Sequence, residues 1–123
     1  MSDDNFRGEP TQRDYQSKIM STLMRFFRAQ SVEDFSVLMQ PDNEHSILLN
    51  TAMQRERPVL SVDTFSEDKE VEIEDHNSSV TELILPEGTL VIEYGQIDEE
   101  SGRLMVYVWK DDSGVVNYGV RNF

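Results

Sequence analysis

The chain has 123 residues, the length of a single domain, and its apolar fraction of 37% with eleven aromatic residues is enough to build a core. It contains no cysteine, which excludes disulfides and thiolate chemistry, and no apolar run reaches the roughly 18 residues that a membrane span requires. The net charge of −13 predicts repulsion from nucleic acid and anionic membranes, and attraction to basic surfaces. The alternative is that the acidity serves only solubility.

The negative charge is concentrated in the second half of the chain. Residues 1–57 hold nine acidic and seven basic residues, whereas residues 58–123 hold fifteen and four. The first residues are acidic where a signal peptide would be basic and then apolar, which predicts a cytoplasmic protein. Residues 1–10 are polar and predict a flexible arm ahead of a single domain at 11–123.

Helical periodicity dominates the first half. Thr11 is a suitable N-cap for a helix from Gln12 to Ala29, and apolar residues at helical spacing predict that one face covers the core. That face contains Tyr15, Ile19, Leu23, Phe26 and Phe27.

Two shorter helices are predicted next. One begins at a capping-box pattern at 31–34 and ends near Met39, before Pro41. The other begins near Asp42 and ends before Pro58, with apolar residues between Ile47 and Met53 facing inward. A strand at 46–51 is the alternative, since the apolar run there is too short for periodicity to decide.

From Pro58 onward the pattern alternates with the period of a strand. Strands are predicted at 59–62, 70–74 and 80–85. In the second of these, Glu70, Glu72 and Glu74 lie on one face and Val71 and Ile73 on the other, so we expect an edge strand or one with an exposed face.

A three-stranded meander at 90–94, 104–109 and 115–120 organises the rest of the fold. Gly102 and Gly114 fall in its two turns, where they can supply the positive φ that hairpin loops require. One face of the meander is uniformly apolar and should lie against the helices; its members are Leu90, Ile92, Tyr94, Leu104, Val106, Val108, Val116, Tyr118 and Val120.

The opposite face carries a stripe of Met105, Tyr107 and Trp109, residue types that are enriched at protein interfaces. Acidic residues surround this stripe, which suits a basic protein partner. The alternative is that another segment of the chain covers the stripe, or that its members form ordinary cross-strand pairs.

Catalytic and metal-binding motifs are absent from the sequence. The acidic clusters at 74–76 and 98–100 match neither an EF-hand loop nor a His-Glu-x-x-His helix, so solvated loops are the favoured interpretation. His45 and His76 lie in polar segments, and no serine has a nucleophile-elbow context. The prediction is a non-enzyme without metal or cofactor.

The predicted fold class is α+β, with two or three N-terminal helices packed on one face of a curved antiparallel sheet of four to six strands. This order of elements resembles the cone-shaped cystatin and NTF2-like layouts, and the resemblance is one of topology without a shared motif.

The predicted function is that of an acidic protein, a monomer or homodimer, which occludes a basic, nucleic-acid-binding surface of a partner protein such as a nuclease. It would bind neither nucleic acid nor membrane directly. Two forms fit: an immunity protein against a nuclease toxin, or a phage-encoded anti-defence inhibitor that mimics DNA, for example against restriction. The predicted partner-binding residues are Glu70, Glu72, Glu74, Asp75, Glu93, Asp98, Glu99, Glu100, Met105, Tyr107, Trp109, Asp111 and Asp112.

Two alternatives come from other classes. One is a ligand-binding or enzymatic NTF2-like domain with an internal pocket lined by Tyr94, Tyr118 and His45. The other is an acidic secretion chaperone, which predicts a homodimer with an exposed apolar groove.

Overall fold

The computed structural model describes residues 10–28, 33, 56–75 and 77–123. This part of the chain contains one helix and six strands in a single antiparallel sheet, whose strand order is β1-β4-β5-β6-β2-β3. The elements are α1 (Gln12–Phe27), β1 (Val59–Thr64), β2 (Lys69–Glu74), β3 (Val80–Leu85), β4 (Leu90–Tyr94), β5 (Leu104–Lys110) and β6 (Val116–Asn122). The α+β class and the antiparallel sheet are confirmed. The predicted arm at 1–10, the second and third predicted helices and the alternative strand at 46–51 lie outside the described residues, apart from Pro10, Glu33 and residues 56–57.

Helix α1 begins where the sequence predicts. The Thr11 hydroxyl accepts a hydrogen bond from the Asp14 backbone N–H, and the Asp14 carboxylate accepts one from the Thr11 N–H, which completes a capping box. The helix ends at Arg28, which adopts a left-handed conformation with φ 56°. Its inner face places Ile19 and Leu23 in the core.

The core lies between α1 and the predicted apolar face of the meander. Ile92, Tyr94 and Val106 are fully buried there. All nine residues assigned to this face from the sequence are in the core or packed against it, namely Leu90, Ile92, Tyr94, Leu104, Val106, Val108, Val116, Tyr118 and Val120. Strict alternation therefore identified the buried face correctly.

Side chains of α1 also bind the backbone of the edge strand β1. The Gln12 amide accepts from the Val59 N–H and donates to its carbonyl, both at 2.8 Å, and the Lys18 ammonium donates to the Val62 carbonyl at 2.9 Å. The Tyr15 hydroxyl donates to the Leu60 carbonyl. A bulge near Leu60 further interrupts this edge. Helix α1 therefore occupies the β1 edge of the sheet.

The β2–β3 hairpin cannot continue the sheet as a flat layer. In a flat sheet β2 would lie about 19 Å from β1, four strand spacings away. Phe65 is held beside β4 by hydrogen bonds to Thr89 and Gly88, and only three residues separate it from Lys69. Those few residues span at most about 14 Å. The hairpin therefore folds over the sheet, on the face opposite α1, because Phe65 packs there on Tyr107.

Three contacts hold the hairpin in this position. The Phe65 ring lies 6.2 Å from the Tyr107 ring, between centroids. Glu74 pairs with Val120, the one pair that joins β2 to β6. Ile73 lies over Gly119 so closely that an added Cβ there would come within 2.7 Å of the Ile73 side chain. Strand β2 is thus an interior strand, and β3 rather than β2 is the edge.

Gly102, in the β4–β5 connection, is required for two reasons. Its φ is +65°, a left-handed conformation, and an added Cβ would lie 2.0 Å from the Phe123 carbonyl oxygen. The Phe123 N–H in turn donates to the Arg103 carbonyl, so the Phe123 backbone cannot easily move away. The positive φ values predicted for Gly102 and Gly114 are confirmed.

Replacement of Gly102 by alanine should lower the free energy of unfolding by more than about 2 kcal/mol, since backbone strain and a steric clash add. Urea unfolding of the full chain measures this. The control is Gly88→Ala: Gly88 also has positive φ, at +89°, but open space around the added Cβ. It should cost only about 1 kcal/mol. Equal losses in the two variants would contradict the close approach of Phe123.

Candidate protein-binding surface

The most acidic part of the described structure is the segment at 67–87, here called the acidic hairpin. It comprises β2, β3, their turn and the flanking residues, and it holds eight acidic residues and one basic residue, Lys69. More than half of the net charge of −13 therefore lies on one supersecondary unit. Because this unit lies on top of the sheet, its outer side faces solvent, with Glu67, Glu70, Glu72 and Glu82 all exposed.

Two glutamates of the acidic hairpin, Glu72 and Glu74, contact an arginine of the fold. The Arg121 guanidinium, on β6, lies 2.9 Å from the Glu74 carboxylate and 3.5 Å from that of Glu72. The same guanidinium stacks on the Phe123 ring, 5.0 Å from its centroid. The longer contact joins Arg121 Nε to Glu72 and is a charge contact, since this buried Nε makes no hydrogen bond to any residue that the structure describes. Glu74 and Glu72 thus fasten the hairpin to β6, and Glu74 in particular is mostly covered.

Glu70 and Glu82 behave differently, because they are paired with each other. They lie diagonally across the β2–β3 ladder, where Glu72 is the direct partner of Glu82. A hydrogen bond from the Glu70 side chain and repulsion by its charge raise the pKa of Glu82 above its ordinary value. Among the described residues, neither Glu70 nor Glu82 forms an ion pair with a Lys or Arg side chain. The centre of the hairpin therefore carries negative charge that the described fold does not compensate.

Apolar side chains flank that charge on β3. Ile84 is 72% exposed, and Val80 and Leu83 are also exposed. Val80, Glu82 and Ile84 share one face of the strand because successive residues alternate. The site thus combines an acidic centre with apolar neighbours. The consecutive apolar residues at 83–85 were a sequence signal for this exposure, since adjacent strand residues cannot all point inward.

Three aspartates among the predicted binding residues have structural roles in turns. Asp75 accepts from the N–H groups of Asn77 and Ser79, and Asp98 accepts from those of Glu100 and Ser101. Asp111 does the same for Ser113 and Val115. The hydrogen bond from the Val115 backbone has the largest effect on the pKa of Asp111, and a bond from the Asn117 side chain has the next largest. Both lower this pKa below its ordinary value. Each carboxylate closes its own loop.

The predicted stripe of Met105, Tyr107 and Trp109 is not an open surface. Tyr107 is 7% exposed, beneath Phe65, and burial raises the pKa of its hydroxyl. Met105 and Trp109 are half-buried. The structure thus matches the alternative weighed from the sequence, that another segment of the chain covers this face. Phe65 was not singled out in the sequence, because nothing local indicates that it crosses the sheet.

The remaining predicted acids do not join the hairpin in one continuous patch. Glu93 is paired with Arg103. Glu99 and Glu100 are exposed in the β4–β5 turn, whereas Asp112 is exposed in the β5–β6 turn at the other end of β5. The seven residues of β5 separate these turns by about 20 Å. The thirteen predicted residues therefore form several surfaces rather than one.

The pockets found in the described residues are open surface depressions. The one nearest the acidic hairpin, of about 320 Å³, lies between Glu70, Glu82, Tyr107 and Arg121. Neither it nor the depressions along α1 include Tyr94 or Tyr118. Tyr94 is fully buried in the core, its hydroxyl has no hydrogen-bond partner among the described residues, and burial raises its pKa.

The two predicted candidate histidines, His45 and His76, lie outside the described residues. Within the described ranges, no group of three or more acidic or histidine side chains is arranged to hold a metal ion. None of the helical structure described in the chain combines the length and hydrophobicity of a bilayer span.

Comparisons of the chain with protein-family models, with curated proteins and with solved structures return no match.

The interaction between Glu70 and Glu82 predicts how the stability of the fold depends on pH. Because the pKa of Glu82 is raised in the folded chain, the native state holds this proton more tightly than the unfolded state. The stabilisation is present below the ordinary carboxyl pKa and is lost as pH rises through the raised value. Glu82→Gln should therefore be more stable than the parent at neutral pH, and this gain should vanish in acid. Urea unfolding across this pH range measures it.

The control variant is Glu99→Gln, which removes the same charge from the β4–β5 turn. At neutral pH it should not show the gain in stability expected of Glu82→Gln, since Glu99 is exposed in a turn. If Glu82→Gln showed the same pH dependence as the parent, the two glutamates would not interact in the folded chain.

Proposed function

We propose that this protein is a non-enzymatic acidic inhibitor that binds a basic protein and occludes the surface with which that partner engages nucleic acid. The observation that carries the proposal is the acidic hairpin: eight acids and one base on a single unit, at 67–87, whose outer side faces solvent. A basic partner gains from such a concentration of charge through fast, salt-sensitive association.

The acidic residues differ in their structural roles, and this difference supports the proposal over the alternative that the acidity serves only solubility. Asp75, Glu74 and Glu93 are used internally, in a turn and in ion pairs. Glu70 and Glu82, by contrast, are adjacent like charges in the folded chain, an arrangement that disfavours the native state at neutral pH. A protein that needs acidity only for solubility has no reason to place two carboxylates together. A partner cation between them would relieve the repulsion.

Apolar contacts would add affinity to this charge. The sequence predicted that the stripe of Met105, Tyr107 and Trp109 would supply these apolar contacts, but the hairpin covers part of that stripe. In the folded chain Ile84 and Val80 are better placed, since they are exposed on the same strand face as Glu82. An acidic centre with apolar neighbours resembles a binding surface more than a uniformly solvated face does.

Two biological roles fit the proposal, and both were predicted from the sequence. One is an immunity protein that neutralises a nuclease toxin, and the other is a phage-encoded inhibitor of a host nucleic-acid enzyme. Both place the protein in the cytoplasm with its target. The neighbouring genes separate them, since a toxin gene favours the first and a phage operon the second.

The test is capture of partners from lysate by the immobilised full chain, at low and at physiological ionic strength, followed by a competition assay. A captured basic protein should lose its bound nucleic acid when the acidic protein is added at equal concentration. Recovery of no basic protein at either ionic strength would refute the proposal, as would a captured protein that keeps its nucleic acid.

Paired charge variants locate the surface. Glu70→Gln with Glu82→Gln should weaken partner binding by about three- to tenfold, because an exposed ion pair contributes roughly 0.2–1 kcal/mol. The control is Glu99→Gln with Glu100→Gln, which changes the net charge equally and should have a smaller effect. Equal losses from both pairs would show that net charge, rather than the hairpin, determines binding.

A further inference from the structure

We infer that the β3 edge of the acidic hairpin binds its basic partner by strand addition, in which an extended basic segment of the partner pairs with Val80, Glu82 and Ile84. This inference rests on the proposed function and specifies the chemistry of the partner: an exposed strand with a Lys or Arg between two apolar residues.

The backbone pattern of the hairpin shows which groups are free to pair. Asp75 donates its N–H to the Ser79 carbonyl, so this pair is hydrogen-bonded, and hydrogen-bonded and non-hydrogen-bonded pairs alternate from there. Val80, Glu82 and Ile84 fall at the non-hydrogen-bonded positions of the ladder with β2. Their backbone N–H and C=O groups therefore point away from β2, along the open edge.

The two edges of the sheet differ in how they are protected. The β1 edge is bulged, and α1 covers it with hydrogen bonds from Gln12 and Lys18. The β3 edge is regular through all six residues, contains no proline, and exposes Ile84 at 72%. Proteins normally blunt an exposed edge with bulges, prolines or several charges. Among the described residues, no side chain or strand pairs with the outward backbone groups of β3.

Charge decides which occupant fits this edge. A second copy of the chain would bring another acidic hairpin, with a net charge of −7, against the first. Repulsion between the two would oppose an antiparallel β3–β3 pair. A basic strand would instead place its cation beside Glu82 and Glu70, whose mutual repulsion it would relieve. The edge therefore favours a basic strand over self-pairing.

Cross-strand packing specifies the sequence pattern of the occupant. Residues directly opposite on paired strands contact each other on the same face. A residue opposite Glu82 should be Lys or Arg, and the residues two positions away on either side should be apolar, against Val80 and Ile84. Since this pattern is symmetric, it holds for a parallel or an antiparallel strand.

A labelled peptide, Lys-Thr-Val-Thr-Lys-Thr-Val-Thr-Lys, tests the inference by fluorescence anisotropy with the full chain. The expected result is salt-sensitive binding that slows hydrogen exchange of the Val80, Glu82 and Ile84 amides. Glu82→Pro should weaken binding by about tenfold or more, since it removes an outward N–H and distorts the edge. Glu82→Gln, which keeps the N–H, should weaken it only about threefold, because only an exposed charge is lost.

The control for the peptide is the same sequence with an N-methylated backbone at every internal residue, which keeps every charge but removes the N–H donors that would face β3 in either strand orientation. It leaves the protein unchanged and should not bind measurably. Equal binding of both peptides would overturn the inference, while the proposed function would stand, since it depends on charge. A dimer of the chain that Glu82→Pro dissociates would also overturn it, by making a second copy the occupant.

Discussion

The structure depends on the attachment of the β2–β3 hairpin at both of its ends. At one end Phe65 is hydrogen-bonded beside β4 and packs on Tyr107. At the other, Glu74 pairs with Val120 and its carboxylate binds Arg121. Between these points the hairpin must cross the meander. This crossing gives the sheet a second packed face, removes Tyr107 from solvent and makes β3 the edge of the sheet.

The acidity of the chain is divided among different physical roles by this arrangement. Asp75, Asp98 and Asp111 satisfy turn N–H groups, and their charge is partly balanced by those donors. Glu74 and Glu93 form ion pairs with arginines. The charge that remains uncompensated among the described residues is therefore smaller and more localised than the net charge suggests, and it is densest on the outer side of the hairpin.

The sequence predicted the meander well because the signals that specify a meander, alternation and turn glycines, are local in the chain. Alternation placed Leu90, Ile92 and Val106 on the buried face, and Gly102 marked a turn. The crossing of the β2–β3 hairpin over the sheet was not predictable in this way. It depends on contacts between segments far apart in the chain, such as Ile73 with Gly119. For the same reason the sequence could identify acidic residues but could not distinguish an aspartate that closes a turn from a glutamate that faces solvent.

The hydrogen bonds from α1 to β1 also limit the assemblies that this protein can form. Continuous β-sheet polymers require two free edges on every subunit, so that each one can both accept and offer a strand. Here Gln12, Tyr15 and Lys18 occupy one edge with side chains. Among the described strands, β3 alone is left for an assembly that extends the sheet, so copies of this chain could pair there only in twos, as a discrete complex rather than a fibre.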